Sequence, residues 1–398
     1  MNTSPHATRV EKLRGLMQKQ GIDFLVLFDP VNQYYISGAS QTGTLVLPMN
    51  APPVYLVRRN LEKAKNDSWL GDVRQLGGFE KSMSAIATEL GIANCVVGIE
   101  FNLTSVSLHL RTQRVFQGIE FADCGPLMLE ARKIKDPGEI ASLREAVRCT
   151  DRVFGQVPAI FREGITEIDL AAEIDCFMRK QGSEGITIFY DFGGRTVIWK
   201  PGYSRVVSGA HATIPSDYPI VGGPGLSKSA SHGPSRKKIE RGEQVTVDMG
   251  TIIEGYHADI GRTFFVGEPS PKLRDMYDAV LHIQTVFIEN ARPGVTIAEA
   301  VNKALAAAEQ RGYLSNLMGP PPLNHTSIGH GVGLYTNELP LLTPKNKDTF
   351  EPGMTYAVEP KVVVPGIGSV EVEDTLLVTE ERSEVLSQTP KTIESLIL

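Results

Sequence analysis

The sequence predicts two domains, an α/β domain over residues 1–132 and an α+β domain over residues 133–398 whose helices are duplicated. Three observations carry this. Short apolar runs alternate with helix-like stretches in the first third of the chain. A helix-start signal stands at the junction, and two helix pairs beyond it repeat at a constant offset of 130 residues. A length of 398 residues is also long for a single core.

In the first domain, Val10, Leu13, Leu16 and Met17 fall on one helical face, and Gly21 ends that helix. FLVLF (24–28) reads as a buried strand, followed by strand-like TLVLP (44–48), VYLVR (54–58) and CVVGIE (95–100). KSMSAIATELG (81–91) reads as a helix between them. This part carries no glycine-rich phosphate loop and no acidic cluster, so it reads as a scaffold or a substrate gate.

The junction is KIKDPGEI (133–140). Asp136 is placed to cap a helix, Pro137 suits its first turn, and Glu139 supplies the acid of a capping box. A long amphipathic helix is expected from there to about residue 160. Leu143-Arg144-Glu145 then matches Leu273-Arg274-Asp275, and Gly164, Thr166 and Gly182 match Gly294, Thr296 and Gly312. Each copy predicts a helix, a Gly-x-Thr cap and a second helix closed by glycine. Asp169 and Glu299 both stand three residues after the capping threonine. Strand-rich sequence follows each copy, which predicts helices covering one face of a curved sheet.

Net charge is −6, from 40 basic and 46 acidic side chains, with no long run of either sign. No basic footprint for nucleic acid or an anionic membrane is present, and no apolar stretch approaches the length of a membrane span. The N-terminal residues lack the apolar core of a secretion signal, so a cytoplasmic location is the default expectation. Cys95, Cys124, Cys149 and Cys176 are scattered and read as reduced thiols.

The chemistry concentrates in the last 150 residues, where Asp248, Asp259, His330, Glu359 and Glu373 stand in VTVDMG, YHADIGRTF, SIGHGVGL, YAVEPKV and VEVEDTLLV. Four carboxylates and an imidazole in strand-like apolar segments need a compensating cation. A hairpin turning near Glu254-Gly255 would bring Asp248 and Asp259 together. A second, turning at Pro365-Gly366-Ile367-Gly368, would do the same for Glu359 and Glu373. Oxygen-rich ligation with one imidazole suits Mn²⁺, Co²⁺, Fe²⁺ or Zn²⁺.

In order and flanking residues these five resemble the ligands of the pita-bread metallopeptidases, the family of methionine aminopeptidase, Xaa-Pro aminopeptidase and prolidase. The first domain resembles the creatinase-type N-terminal domain of the last two. The resemblance implies a pita-bread catalytic domain and two divalent metal ions, Mn²⁺ or Co²⁺ foremost, on Asp248, Asp259, His330, Glu359 and Glu373. It implies hydrolysis of the peptide bond before proline in short peptides by metal-activated water, with Glu359 sharing that water's proton. It also implies a homodimer. His232, in SASHGPS, matches the family's first catalytic histidine, and Arg262 an arginine that holds ligands in place.

Two positions depart from the family pattern. GHGVGLYTNELP places Asn337 where relatives commonly carry a second catalytic histidine. An asparagine there can donate to an oxyanion but cannot titrate, and His325 is a nearby substitute. Glu371 stands where Xaa-Pro-cleaving relatives often carry an arginine for the substrate carboxylate, so it is expected to repel one unless Arg195 or Lys200 compensates. These departures keep two other readings open: a hydrolase or lyase of the same fold acting on a non-peptide small molecule, and a binding protein that has lost catalysis.

Overall fold

The computed structural model describes residues 4–190, 192, 204–215 and 222–398. They form two compact units that divide after Arg132. Arg195 and Lys200 lie outside the described residues.

The first unit is a six-stranded mixed sheet in the order Val73–Gln75, Val54–Val57, Gly43–Pro48, Phe24–Leu27, Val96–Ile99 and Glu120–Asp123. The opening helix runs Pro5–Gln20 and ends on Gly21 in the left-handed conformation (φ 67°), as its sequence predicts. Val26, Val46, Leu56 and Val97 pack with Met83 and Ile86 of the helix Phe79–Glu89. Each such fully buried aliphatic contributes roughly 1.5–3 kcal/mol.

The second unit opens on the helix Pro137–Phe154. Asp136 accepts from the Gly138 and Glu139 amides while the Glu139 carboxylate takes the Asp136 amide, completing the capping box. This helix ends before residue 160, and a separate turn, Val157–Ile160, follows. The repeat is real in three dimensions. Helix Glu167–Lys180 is capped by Thr166 and helix Ile297–Gln310 by Thr296, each threonine accepting from the amide three residues on. Gly164 (φ 80°) and Gly294 (φ 81°) precede the caps in the left-handed conformation that glycine tolerates best.

The sheet of this unit runs Glu338–Leu341, Gly329–Gly331, Thr355–Val358, Gly368–Val378, Ile260–Phe265, Gln244–Met249, Arg205–Ser208. Two further strands, Lys361–Val364 and Ser383–Val385, pair with different stretches of the long strand Gly368–Val378. Alternation decides the faces. Val245, Val247, Phe264 and Val372 pack with Ala146, Leu170, Met276 and Val280 of the helices. Ile297, Val301 and Ala304 pack with Tyr356, Val358 and Leu376. The intervening residues of the same strands point to the opposite face.

On the helix side, Arg262 is fully buried. It donates to Asp374 at 2.7 Å, to the carbonyls of Gly261 and Thr389 at 2.8 Å, to that of Pro390 at 3.1 Å, and to that of Glu373. Burial would raise the Asp374 carboxyl, but Arg262 and Lys391 hold it below the usual range, helped by Ser387. This stabilisation is present above the ordinary carboxylate pKa and is lost as pH falls through the depressed one. Asp374→Asn is expected to cost about 3–5 kcal/mol at pH 7 by leaving a buried guanidinium unpaired. Urea denaturation across pH should also show that the variant loses part of the acid-induced destabilisation.

Candidate metal centre

The centre is built by strand register. Arg205 pairs with Asp248, Asp248 with Gly261, and Gly261 with Glu373 across four neighbouring strands. Directly opposed residues share a face, so Arg205, Asp248 and Glu373 converge on the face away from the helices. Glycine at 261 is a requirement of space. A Cβ there would stand 2.7 Å from Glu371 Oε1 and 2.9 Å from Glu373 Oε2.

Both hairpins expected from the sequence form. Glu254 (φ 50°) and Gly255 (φ 76°) make the first turn, between Ile252–Ile253 and Tyr256–His257. Gly366 (φ 79°) lies in the second, with Lys361 paired to Glu371. Asp259 is fixed by Thr375, whose hydroxyl accepts its amide at 3.0 Å and donates to its carbonyl at 2.7 Å. From the helix side, the amide nitrogen of Gln284 donates to the carbonyls of Val358 (3.3 Å) and Val372 (3.0 Å). Those residues immediately precede Glu359 and Glu373, so Gln284 ties the two glutamate strands together. Arg262 grips Glu373 and Gly261 by their carbonyls, the positioning role its sequence context implies.

Asp248, Glu371 and Glu373 each bring a carboxylate oxygen within 4.8 Å of the others. His330 Nε2 lies 3.3 Å from Glu359 Oε1 and 3.8 Å from Asp259 Oδ2. Its Nδ1 lies 3.2 Å from the Gly331 carbonyl, which can only accept, so Nδ1 carries the proton. In the neutral ring the Nε2 lone pair therefore faces two carboxylates, an arrangement a cation relieves.

The electrostatics agree. Burial and the charges of Asp259 and Glu359 push Glu373 well up, and burial with Glu359 pushes Asp259 up. Burial opposes a charge on His330, yet Glu359 and Asp259 raise it. Glu359 is the exception. Burial would raise it too, but Lys361 and His330 hold it far below the usual range. Glu373 Oε2 is buried with no hydrogen-bond partner among the described residues. More negative charge is gathered than the chain compensates, and the donor set is one a divalent ion fits.

Lys361 and Arg205 escaped the sequence reading. The Lys361 side chain is 1% exposed, and its ammonium bonds Glu359 and lies 3.0 Å from Glu371 Oε1 and 4.0 Å from Asp248 Oδ2. The 3.0 Å approach is out of line for a hydrogen bond and acts as charge against charge. Arg205 bonds Asp248 directly. A lysine inside the apolar run of YAVEPKVVV was the available signal for the first, since it shares that run with Glu359. Glu371 is consequently not the free negative charge the sequence suggests: it is 2% exposed and paired.

Asn337 is also placed differently from the expectation. Its Nδ2 donates to the Tyr190 carbonyl at 2.8 Å and its Oδ1 accepts the Tyr190 amide at 2.7 Å. The side chain is engaged by main chain at both ends, which makes it a strap on residues 188–190. Thr336 adds a bond to the Ile188 carbonyl at 2.8 Å. His257 completes this strap from full burial. Its Nδ1 donates to the Gly333 carbonyl at 3.1 Å and its Nε2 accepts the Ile188 amide at 3.0 Å, while burial lowers its pKa to about 4 and keeps it neutral. His232 is half-buried in a loop closed by Gly225 N to Gly233 O (3.0 Å) and Gly233 N to Gly222 O (2.6 Å). His325 is also half-buried, between Asn324 and Thr326.

Comparison with known proteins agrees with this geometry. Residues 141–380 match the model of metallopeptidase family M24, and residues 9–134 match that of the creatinase/prolidase N-terminal domain. A Xaa-Pro dipeptidase of Pyrococcus horikoshii is 28% identical, covering 96% of this chain and 97% of its own. Among solved structures, a Xaa-Pro dipeptidase from Bacillus anthracis superposes with a TM-score of 0.83 at 28% identity, over 99% of this chain and 100% of that one. An X-Pro aminopeptidase from Thermotoga maritima gives 0.79 at 25% identity, over 96% and 98%.

Gly261→Ala should weaken Mn²⁺ binding by about 10–100-fold, as loss of ligand positioning does. Isothermal titration of the metal-stripped protein, with circular dichroism to confirm the fold, measures it. Unchanged affinity would show that the carboxylates beside Gly261 take no part in ligation.

Proposed function

The chain belongs to metallopeptidase family M24, and we propose that it hydrolyses the peptide bond before proline in short peptides, as an exopeptidase dependent on a divalent ion. The observation that carries the proposal is His330, with Nδ1 committed to a carbonyl and Nε2 facing Asp259 and Glu359. Relatives named Xaa-Pro dipeptidase and X-Pro aminopeptidase, matched over nearly their whole length, support the substrate class.

Asp259, His330, Glu359 and Glu373 would hold the ion, with Asp248 at the same face. A bound ion there supplies Lewis acidity, polarising the scissile carbonyl and lowering the pKa of water, with Mn²⁺ or Co²⁺ suited to the oxygen-rich donor set. The chain's own groups do the rest. Lys361 and His330 keep Glu359 ionised, so it would meet the ion as a carboxylate, and as such it would share the proton of the attacking water. His232 would orient the substrate and pass a proton to the leaving amine, the role of the family's first catalytic histidine. Asn337 and His257 hold residues 188–190 without titrating near neutral pH. The homodimer and the cytoplasmic location expected from the sequence belong to this same proposal.

A second reading, hydrolysis or elimination of a non-peptide small molecule, draws on the two positions where the chain departs from its relatives. Asn337 is spent on Tyr190, and Glu371 answers Lys361.

Metal-stripped protein should cleave Xaa-Pro dipeptides or Xaa-Pro-Yaa tripeptides only after Mn²⁺ or Co²⁺ is restored, and should leave non-proline controls intact. Absence of cleavage by metal-loaded protein would favour the non-peptide reading. His232→Ala should lower kcat by about 10²–10⁴-fold with bound metal unchanged by elemental analysis. A variant of full activity would remove His232 from the mechanism.

A further inference from the structure

The chain places two cations of its own inside the centre. Lys361 Nζ touches Glu359, approaches Glu371 to 3.0 Å and stands 4.0 Å from Asp248. Arg205, one pair along the sheet from Asp248, bonds that aspartate's carboxylate. Both reach Asp248, and Lys361 also bonds Glu359 on the side of that carboxylate away from His330's contact, Oε2 against Oε1. At the other end, His330 Nε2 faces Asp259 and Glu359, and no lysine or arginine among the described residues forms a salt bridge with Asp259 or Glu373.

We propose that this chain holds a single divalent ion, at the His330 end of the centre, and that the Lys361 ammonium and the Arg205 guanidinium occupy the Asp248 end in place of a second ion. Three features support it. First, Asp248, Glu371 and Glu373 each bring a carboxylate oxygen within 4.8 Å of the others, and Lys361 lies against Asp248 and Glu371, so that cluster already contains a positive charge. Second, the ammonium cannot swing away at small cost. Lys361 is a strand residue paired with Glu371, its side chain is 1% exposed, and Val362 and Val363 beside it are fully buried. Third, a divalent ion at Asp248 would have to displace Arg205 from the carboxylate and lie beside the ammonium. Two like charges at contact distance in a buried site repel far more than they would in water.

The Lys361 and Arg205 heads differ from an ion in what they can do. They fix Glu359 and Asp248 by directed hydrogen bonds and present no open coordination position. The Asp248 end thereby becomes a positioning element, and ligation of substrate would fall to the His330 end alone.

This inference rests on the metal-dependent reading, and metal counting separates the two. Metal-stripped full-length protein is loaded with excess Mn²⁺, freed of loose ion by gel filtration and analysed for manganese per chain. Electron paramagnetic resonance then distinguishes an isolated ion, with its six-line pattern, from an exchange-coupled pair. One Mn²⁺ per chain with the isolated signature is expected. Two per chain with a coupled signature overturns the inference and leaves the peptidase reading standing, whereas no bound ion overturns both. The double variant Lys361→Gly/Arg205→Ser should take up a second Mn²⁺ and become coupled. A folded double variant that still holds one ion would show that these two side chains are not what excludes the second.

Discussion

Five carboxylates forced onto one face of a single sheet are the constraint on which the rest of the catalytic unit depends. Asp248, Asp259, Glu359, Glu371 and Glu373 are each at most 9% exposed, and carboxylates so withdrawn from water must find positive charge. The chain supplies Lys361 to Glu359 and Arg205 to Asp248, while His330 faces Asp259 and Glu359. Glycine at 261 follows from the same crowding, since any side chain there would enter the space the glutamates use.

The two faces of the long strand Gly368–Val378 divide the labour. Glu371 and Glu373 point to the site, while Val372 and Asp374 point to the helices. Arg262 exploits this division. It is anchored to Asp374 on the helix side and holds the Glu373 carbonyl, so the ligand strand is fixed from behind by a charge that never enters the site. Gln284 does the same for the strands carrying Glu359 and Glu373 with neutral amide bonds. A site that must keep oxygen atoms in place against their mutual repulsion needs such support, because the ligands cannot stabilise one another.

The strap over residues 188–190 shows a different economy. Asn337 and His257 spend their side-chain polar groups on main chain, Thr336 adds its own amide, and His257 stays neutral near neutral pH. In a centre rich in groups competing for protons, neutral donors and acceptors hold a segment without altering the charge of the site. Positions that look catalytic by their place in a motif can therefore be structural by their partners.

What the sequence determined by itself was whatever depends on neighbours close in the chain. The capping box at Asp136, the threonine caps at 166 and 296, the left-handed glycines before them, and both hairpin turns are set by local backbone geometry, which residue type alone enforces. The five ligand candidates were legible too, because charged residues at strand-like apolar positions are improbable without a function. Only the tertiary structure decided who neutralises whom. That Lys361 serves Glu359, that Arg205 serves Asp248, and that Asn337 binds Tyr190, 147 positions away, follow from strand register and loop placement. Such contacts leave no local trace in the sequence, since electrostatic partners are selected by distance in space, and distance in space is fixed only when the whole sheet is assembled.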